Sequence, residues 1–184
     1  MKGGVAMRKA LLFAACLLIV AAGANAIKLQ DAYDKAGAGE GYDKLLVLDG
    51  KEDYTGGCGV LIGKKSCIRG NGAFVNLDGG NVQAGGYGTQ LDISGCCLVN
   101  AGYYGAVNIA DGASANIDGN TICKSNGIAG VRVWEYSTAT LKNNIIWGNA
   151  TYGVAKHQNT GTTNILYNDV DNNRGGNYAY YCPG

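Results

Sequence analysis

The sequence predicts an all-β parallel β-helix, and three of its features carry that prediction. An asparagine returns about every two dozen residues, at Asn71, Asn120, Asn144 and Asn168, with Cys96 in the slot between the first two. An apolar residue stands three places before each (Ile68, Ile93, Ile117, Leu141, Ile165), and another two places after (Ala73, Leu98, Ile122, Ile146, Val170). A second column, Val82, Val107, Val131 and Val154, keeps nearly the same interval. Self-similarity at this period means a solenoid whose repeats are stacked coils, each too small to bury its own apolar face.

Taken in chain order, the first element is a leader. Lys2, Arg8 and Lys9 precede an uncharged run from Ala10 to Gly23 and the small-residue site Ala24-Asn25-Ala26. A basic start, an apolar stretch too short to span a bilayer comfortably and an A-x-A site describe a secretory signal peptide, residues 1–26, cut after Ala26. The mature chain is then expected in the periplasm, at the cell surface or in the medium, with no membrane segment after cleavage.

Residues 27–44 are read as a capping helix and linker. Leu29, Ala32, Tyr33 and Ala36 follow the i, i+3, i+4, i+7 spacing of one helix face, and Gly37 ends the run. Such a plug would cover the open end of the first coil, where unpaired backbone and apolar surface would otherwise face solvent. The repeats occupy 45–184, starting with a strand over Leu45 to Leu48. Within them, segments such as Val107-Asn108-Ile109 and Val131-Arg132-Val133 alternate with period two, the pattern of a strand with one buried face. Asn and Gly between the strands accept the left-handed conformation of a sharp corner, and a stacked Asn can bond to the turns above and below it. A leucine-rich repeat has a similar period, but Ile, Val and Ala fill these slots as often as Leu, and Thr, Ser, Gly and Asn lie between them.

Composition narrows the function classes. The net charge is +1 with cations scattered rather than clustered, so nucleic acid is not an expected partner. Of seven cysteines, Cys16 falls in the leader. The others allow fifteen pairings, of which the repeat register leaves only Cys58 with Cys67 to be entertained. Cys123 lies diagonally from Cys97, beyond the usual reach of a bridge.

Strand Leu45–Leu48, the Asp49-Gly50 and Tyr54-Thr55-Gly56-Gly57 turns, repeats such as Thr140-Leu141-Lys142-Asn143-Asn144-Ile145-Ile146, and Tyr167-Asn168-Asp169-Val170 with Gly175-Gly176-Asn177-Tyr178 extend the pattern begun at Leu29-Gln30-Asp31-Ala32-Tyr33. Together they resemble bacterial exported right-handed β-helix repeat proteins of the pectin-lyase-like superfamily, over nearly the whole mature chain. The resemblance implies a right-handed parallel β-helix of about five or six coils. It implies no single activity, since the superfamily includes pectate lyases, polygalacturonases, alginate epimerases, tail spikes and adhesins. Relatives usually continue past the segment matching Tyr178 to Gly184, so this chain is expected either to be truncated or to fold Tyr178, Tyr180 and Tyr181 over its last coil as a minimal cap. Truncation would leave the end open to self-association.

Outward side chains at equivalent strand positions form ladders along a solenoid. Counting from the valine column places Asn108 and Arg132 in one row, Trp134 and His157 in a second, and Asp111, Glu135 and Gln158 in a third. An aromatic face can stack on a sugar ring while Arg pairs with a uronate carboxylate, so this patch is the candidate site for an extended polysaccharide. The bland alternative is a solvated surface with Arg132 paired to Glu135 or Asp111. A lyase or epimerase on uronate polymers is the competing reading, needing a base and a neutralised carboxylate. Asp111 and Glu135 on adjacent rungs are equally an ordinary surface pair or a weak calcium site; no other cofactor is expected. Gly85-Gly86-Tyr87-Gly88 echoes a calcium-binding nonapeptide only once and out of register. Thr138, Thr140, Thr162 and Thr163 are too few and irregular for an ice-binding face.

Overall fold

The computed structural model describes residues 26–157 and 161–182; the predicted leader up to Asn25, Gln158 and the Pro183–Gly184 end lie outside them. Three parallel sheets wind into a right-handed β-solenoid of about six turns. The valine sheet comprises β4 (Cys58–Gly59), β7 (Val82–Gly85), β10 (Val107–Ala110), β13 (Ala129–Val133), β16 (Tyr152–Lys156) and β19 (Gly176–Tyr180). The isoleucine sheet comprises β2 (Lys44–Val47), β5 (Lys65–Arg69), β8 (Gln90–Ser94), β11 (Ser114–Asp118), β14 (Thr138–Lys142) and β17 (Thr163–Leu166). The third, of short strands, comprises β1 (Ile27–Lys28), β3 (Asp53–Thr55), β6 (Phe74–Asn76), β9 (Cys97–Val99), β12 (Thr121–Cys123), β15 (Ile145–Trp147) and β18 (Asp169–Asp171).

Each sheet sends one apolar column inward. Val82, Val107, Val131 and Val154 are in direct register. So are Ile68, Ile93, Ile117, Leu141 and Ile165, and Val75, Leu98, Ile122, Ile146 and Val170. The columns meet in one core. Burying each such side chain stabilises the coil by about 1.5–3 kcal/mol relative to leaving it in water.

Helix α1 (Leu29–Lys35) covers the N-terminal end, with Leu29 and Tyr33 buried. Tyr33 shares a 2.6 Å hydrogen bond with Ser66 and accepts another from the Leu61 amide. The helix stops one residue short of the sequence expectation, because Ala36 is already extended at ψ 141°. Residues 27–28 are not linker: Ile27 and Lys28 pair with Tyr54 and Thr55 as the first strand of the short-strand sheet. Among the described residues, no helix is long and apolar enough to cross a membrane.

The asparagine column runs through Asn120, Asn144 and Asn168 at the corner between the isoleucine and short-strand sheets. Each side-chain oxygen accepts the backbone N–H of the residue one coil earlier, Cys96, Asn120 and Asn144 in turn, at 2.9–3.0 Å. Each Nδ2 donates to a strand carbonyl on the rung one coil earlier, of Ile93, Ile117 and Leu141. Asn71 does not stand in this column. The turn from Arg69 to Phe74 holds Gly70 to Ala73, where the next coil has only Gly95 and Cys96 between Ser94 and Cys97. Ala73 therefore takes the slot, its carbonyl accepting from Cys97 as that of Cys96 accepts from Thr121. Asn71 sits in the turn at φ 50° and donates to the Leu48 carbonyl instead.

A second ladder, absent from the sequence reading, occupies the corner leading to the valine sheet. Asn173 Oδ1 accepts from the backbone and side chain of Asn149, and Asn149 Oδ1 accepts from the backbone of Ser125. Cys58 and Cys67, the one pair to be entertained, are unbridged.

Candidate functional site

The outer face of the valine sheet gathers the residues singled out in the sequence. Arg132 and Asn108 are cross-strand neighbours, as the row count requires. Arg132 Nη1 donates to Asn108 Oδ1 at 2.9 Å, and Asn108 itself is buried. The guanidinium carbon lies 4.3 Å from the Trp134 ring centre and 5.1 Å from that of Tyr104. Two aromatic faces and one amide thus hold the cation in place. Its Nε is buried without a hydrogen-bond partner. Desolvation is the largest influence on this group and pushes its pKa down, with Tyr104, Glu135, Tyr103 and Asp111 opposing.

Aromatic rings extend the patch along the axis. Trp134 lies 4.5 Å from His157 and 5.8 Å from Tyr180, which in turn lies 5.8 Å from Tyr152. Tyr103 packs edge-on against Tyr104 at the other end. Small residues make room for these rings: Ala129, Ala155 and Ala179 are buried together on this sheet, with Ile128 and Tyr152 against them. Tyr104 and Tyr180 remain 43% and 62% exposed, so ring faces are open to a ligand.

Asp111 and Glu135 sit in equivalent corner turns where the chain passes to the isoleucine sheet, both with positive φ. The Gly112 amide donates to the Glu135 carbonyl at 2.9 Å, which brings the turns together. A hydrogen bond shared with Asp111 holds the Glu135 carboxyl above the ordinary carboxylate range; desolvation and the Asp111 charge add to this, and Arg132 and His157 oppose it. Among the described residues, no group of three or more His, Cys, Asp or Glu side chains is arranged to hold a metal ion.

The structure brings Asn108, Arg132, Trp134 and His157 into one patch and sets Asp111 and Glu135 at its edge; Gln158 lies outside the described residues. The sequence reading omitted Tyr103, Tyr104 and Tyr152, and it treated Tyr180 as a cap alone. One signal was present: Tyr104 stands three places before a column valine, as Ile128 does.

Comparison with known proteins assigns no family: no family model matches the chain, and no curated protein or solved structure matches it.

Proposed function

We propose that this chain is an exported β-helix repeat protein of pectin-lyase-like type whose valine-sheet face binds an extended anionic polysaccharide. The observation that carries this reading is Arg132, a desolvated guanidinium clamped between Trp134 and Tyr104. A carboxylate laid against its half-exposed edge would form a charge-assisted pair, while the flanking rings offer apolar faces to sugar rings. The leader-like N-terminus supports export.

Retention of the protein on immobilised polygalacturonate and alginate tests the reading. Loss of retention in Arg132→Ala and Trp134→Ala, without product, is the expected result. Retention unchanged in both variants would remove this face from binding. A lyase reading has the raised Glu135 carboxyl beside Arg132 in its favour; absorbance from unsaturated sugars, abolished by Glu135→Gln, would establish it instead.

A further inference from the structure

The outer face of the isoleucine sheet carries a groove of about 490 Å³ on the other side of the Asp111–Glu135 corner. Two columns line it. Gln90, Ser114 and Thr138 are in register in one, and Asp92, Asn116, Thr140 and Asn164 in the other. Between them the chain turns Ala115 and Ala139 inward, so the floor is low and both columns stand as walls. Thr138, Thr140 and Thr162 thus become part of one continuous run of hydroxyl and amide groups, while Thr163 is buried in register with Ala139.

The charge of this groove sets it apart from the arginine face. None of its lining residues is cationic. Its one carboxylate, Asp92, is already engaged on both oxygens, by Asn116 Nδ2 at 2.7 Å and by the Tyr42 hydroxyl. What remains to meet a ligand is neutral donors and acceptors, repeating at the spacing of the rungs. Aromatic rings stand at the corner turns that lead into β8 and β14: Tyr87 and Tyr136 are 75% and 64% exposed. The Tyr87 ring lies against Gly112, where a Cβ would come within 2.5 Å of it, and this contact limits where the ring can turn. A few placed polar groups beside exposed rings are the usual lining of a site for an amphipathic, hydroxyl-bearing molecule.

We propose that this groove binds a neutral, hydroxyl-rich chain, an uncharged polysaccharide segment laid along the solenoid axis across β8, β11, β14 and β17. The site is independent of the anionic reading of the valine-sheet face. A second copy of this chain fits the groove poorly, because its lining offers little apolar surface to bury.

Calorimetric titration of the purified protein with cellohexaose, maltohexaose and mannohexaose, and separately with a galacturonate hexamer, tests it. At least one neutral probe is expected to bind. The Thr138→Val/Thr140→Val double variant should weaken that binding about tenfold or more. Thr140→Ser should retain it, and Arg132→Ala should leave it unchanged. Thermal melts of each variant establish that the fold is intact. The proposal is overturned if no neutral probe binds at millimolar concentration, or if binding survives the double valine variant. It is equally overturned if neutral binding disappears in Arg132→Ala alone. Failure of the galacturonate arm would sink the arginine-face reading and leave this one standing.

Discussion

Asn144 Oδ1 accepts both the backbone N–H and the side-chain amide of Asn120, at 3.0 and 3.1 Å, inside the solenoid wall. The same side chain donates to the Ile117 carbonyl at 2.7 Å. Asn144→Ala therefore strands a buried N–H and a buried carbonyl and should cost about 2–5 kcal/mol of stability. Urea denaturation measures this, with the exposed Asn164→Ala expected to stay within about 0.5 kcal/mol of the parent. Equal midpoints for the two variants would mean that the ladder contributes little.

Ser125 begins the second ladder, yet its hydroxyl is buried with no partner. Its backbone N–H, not its side chain, meets Asn149. Removing the hydroxyl in Ser125→Ala should stabilise the protein by about 1 kcal/mol, visible as a rise of about 2–4 °C in Tm. A fall in Tm would show that the hydroxyl has a partner in solution.

The Glu135 carboxyl has a raised pKa in the folded chain, chiefly through its hydrogen bond with Asp111. The folded state thus binds this proton more tightly than the unfolded state does. The associated stability is fully present below the ordinary carboxylate pKa and is lost as pH rises through the raised value. Thermal melts across that window should show the parent losing stability relative to Glu135→Gln, whose carboxamide does not titrate. Parallel pH profiles for the two proteins would mean that the Glu135 carboxyl is not raised in the folded chain.

Burial pushes the thiols of Cys58 and Cys96 up to about 12. Alkylation of these two at neutral pH should be slower in the native than in the denatured protein, by on the order of a thousandfold. Peptide mass spectrometry after timed iodoacetamide treatment reads both sites. A cross-linked Cys58–Cys67 peptide from the untreated protein would contradict the unbridged arrangement.

Much of this architecture is legible in the chain because each coil repeats the same local demands. The valine and isoleucine columns can be counted off the sequence, and the structure places them in register. The count goes wrong at Asn71, where a turn longer by two residues shifts the slot to Ala73. A period shows that a column exists but not where a coil absorbs extra residues. The second ladder was hidden for a related reason, since it begins at Ser125 rather than at an asparagine and leaves only Asn149 and Asn173 to suggest a pattern.

The rows containing Arg132, Trp134 and His157 could be written down from register alone. The sequence by itself determined the stacked coils, the helix at one end and the residues on each strand, because periodicity and turn chemistry are local properties repeated along the chain. Only the tertiary structure decided that Tyr104 and Trp134 clamp Arg132, and that scattered threonines line a groove with Ser114 and Asn116. Apart from Trp134, which follows Arg132 by two residues on the same rung, those contacts join residues one or more coils apart, and they depend on side-chain directions and on the space left by small neighbours such as Ala155 and Ala179. Packing between coils sets both.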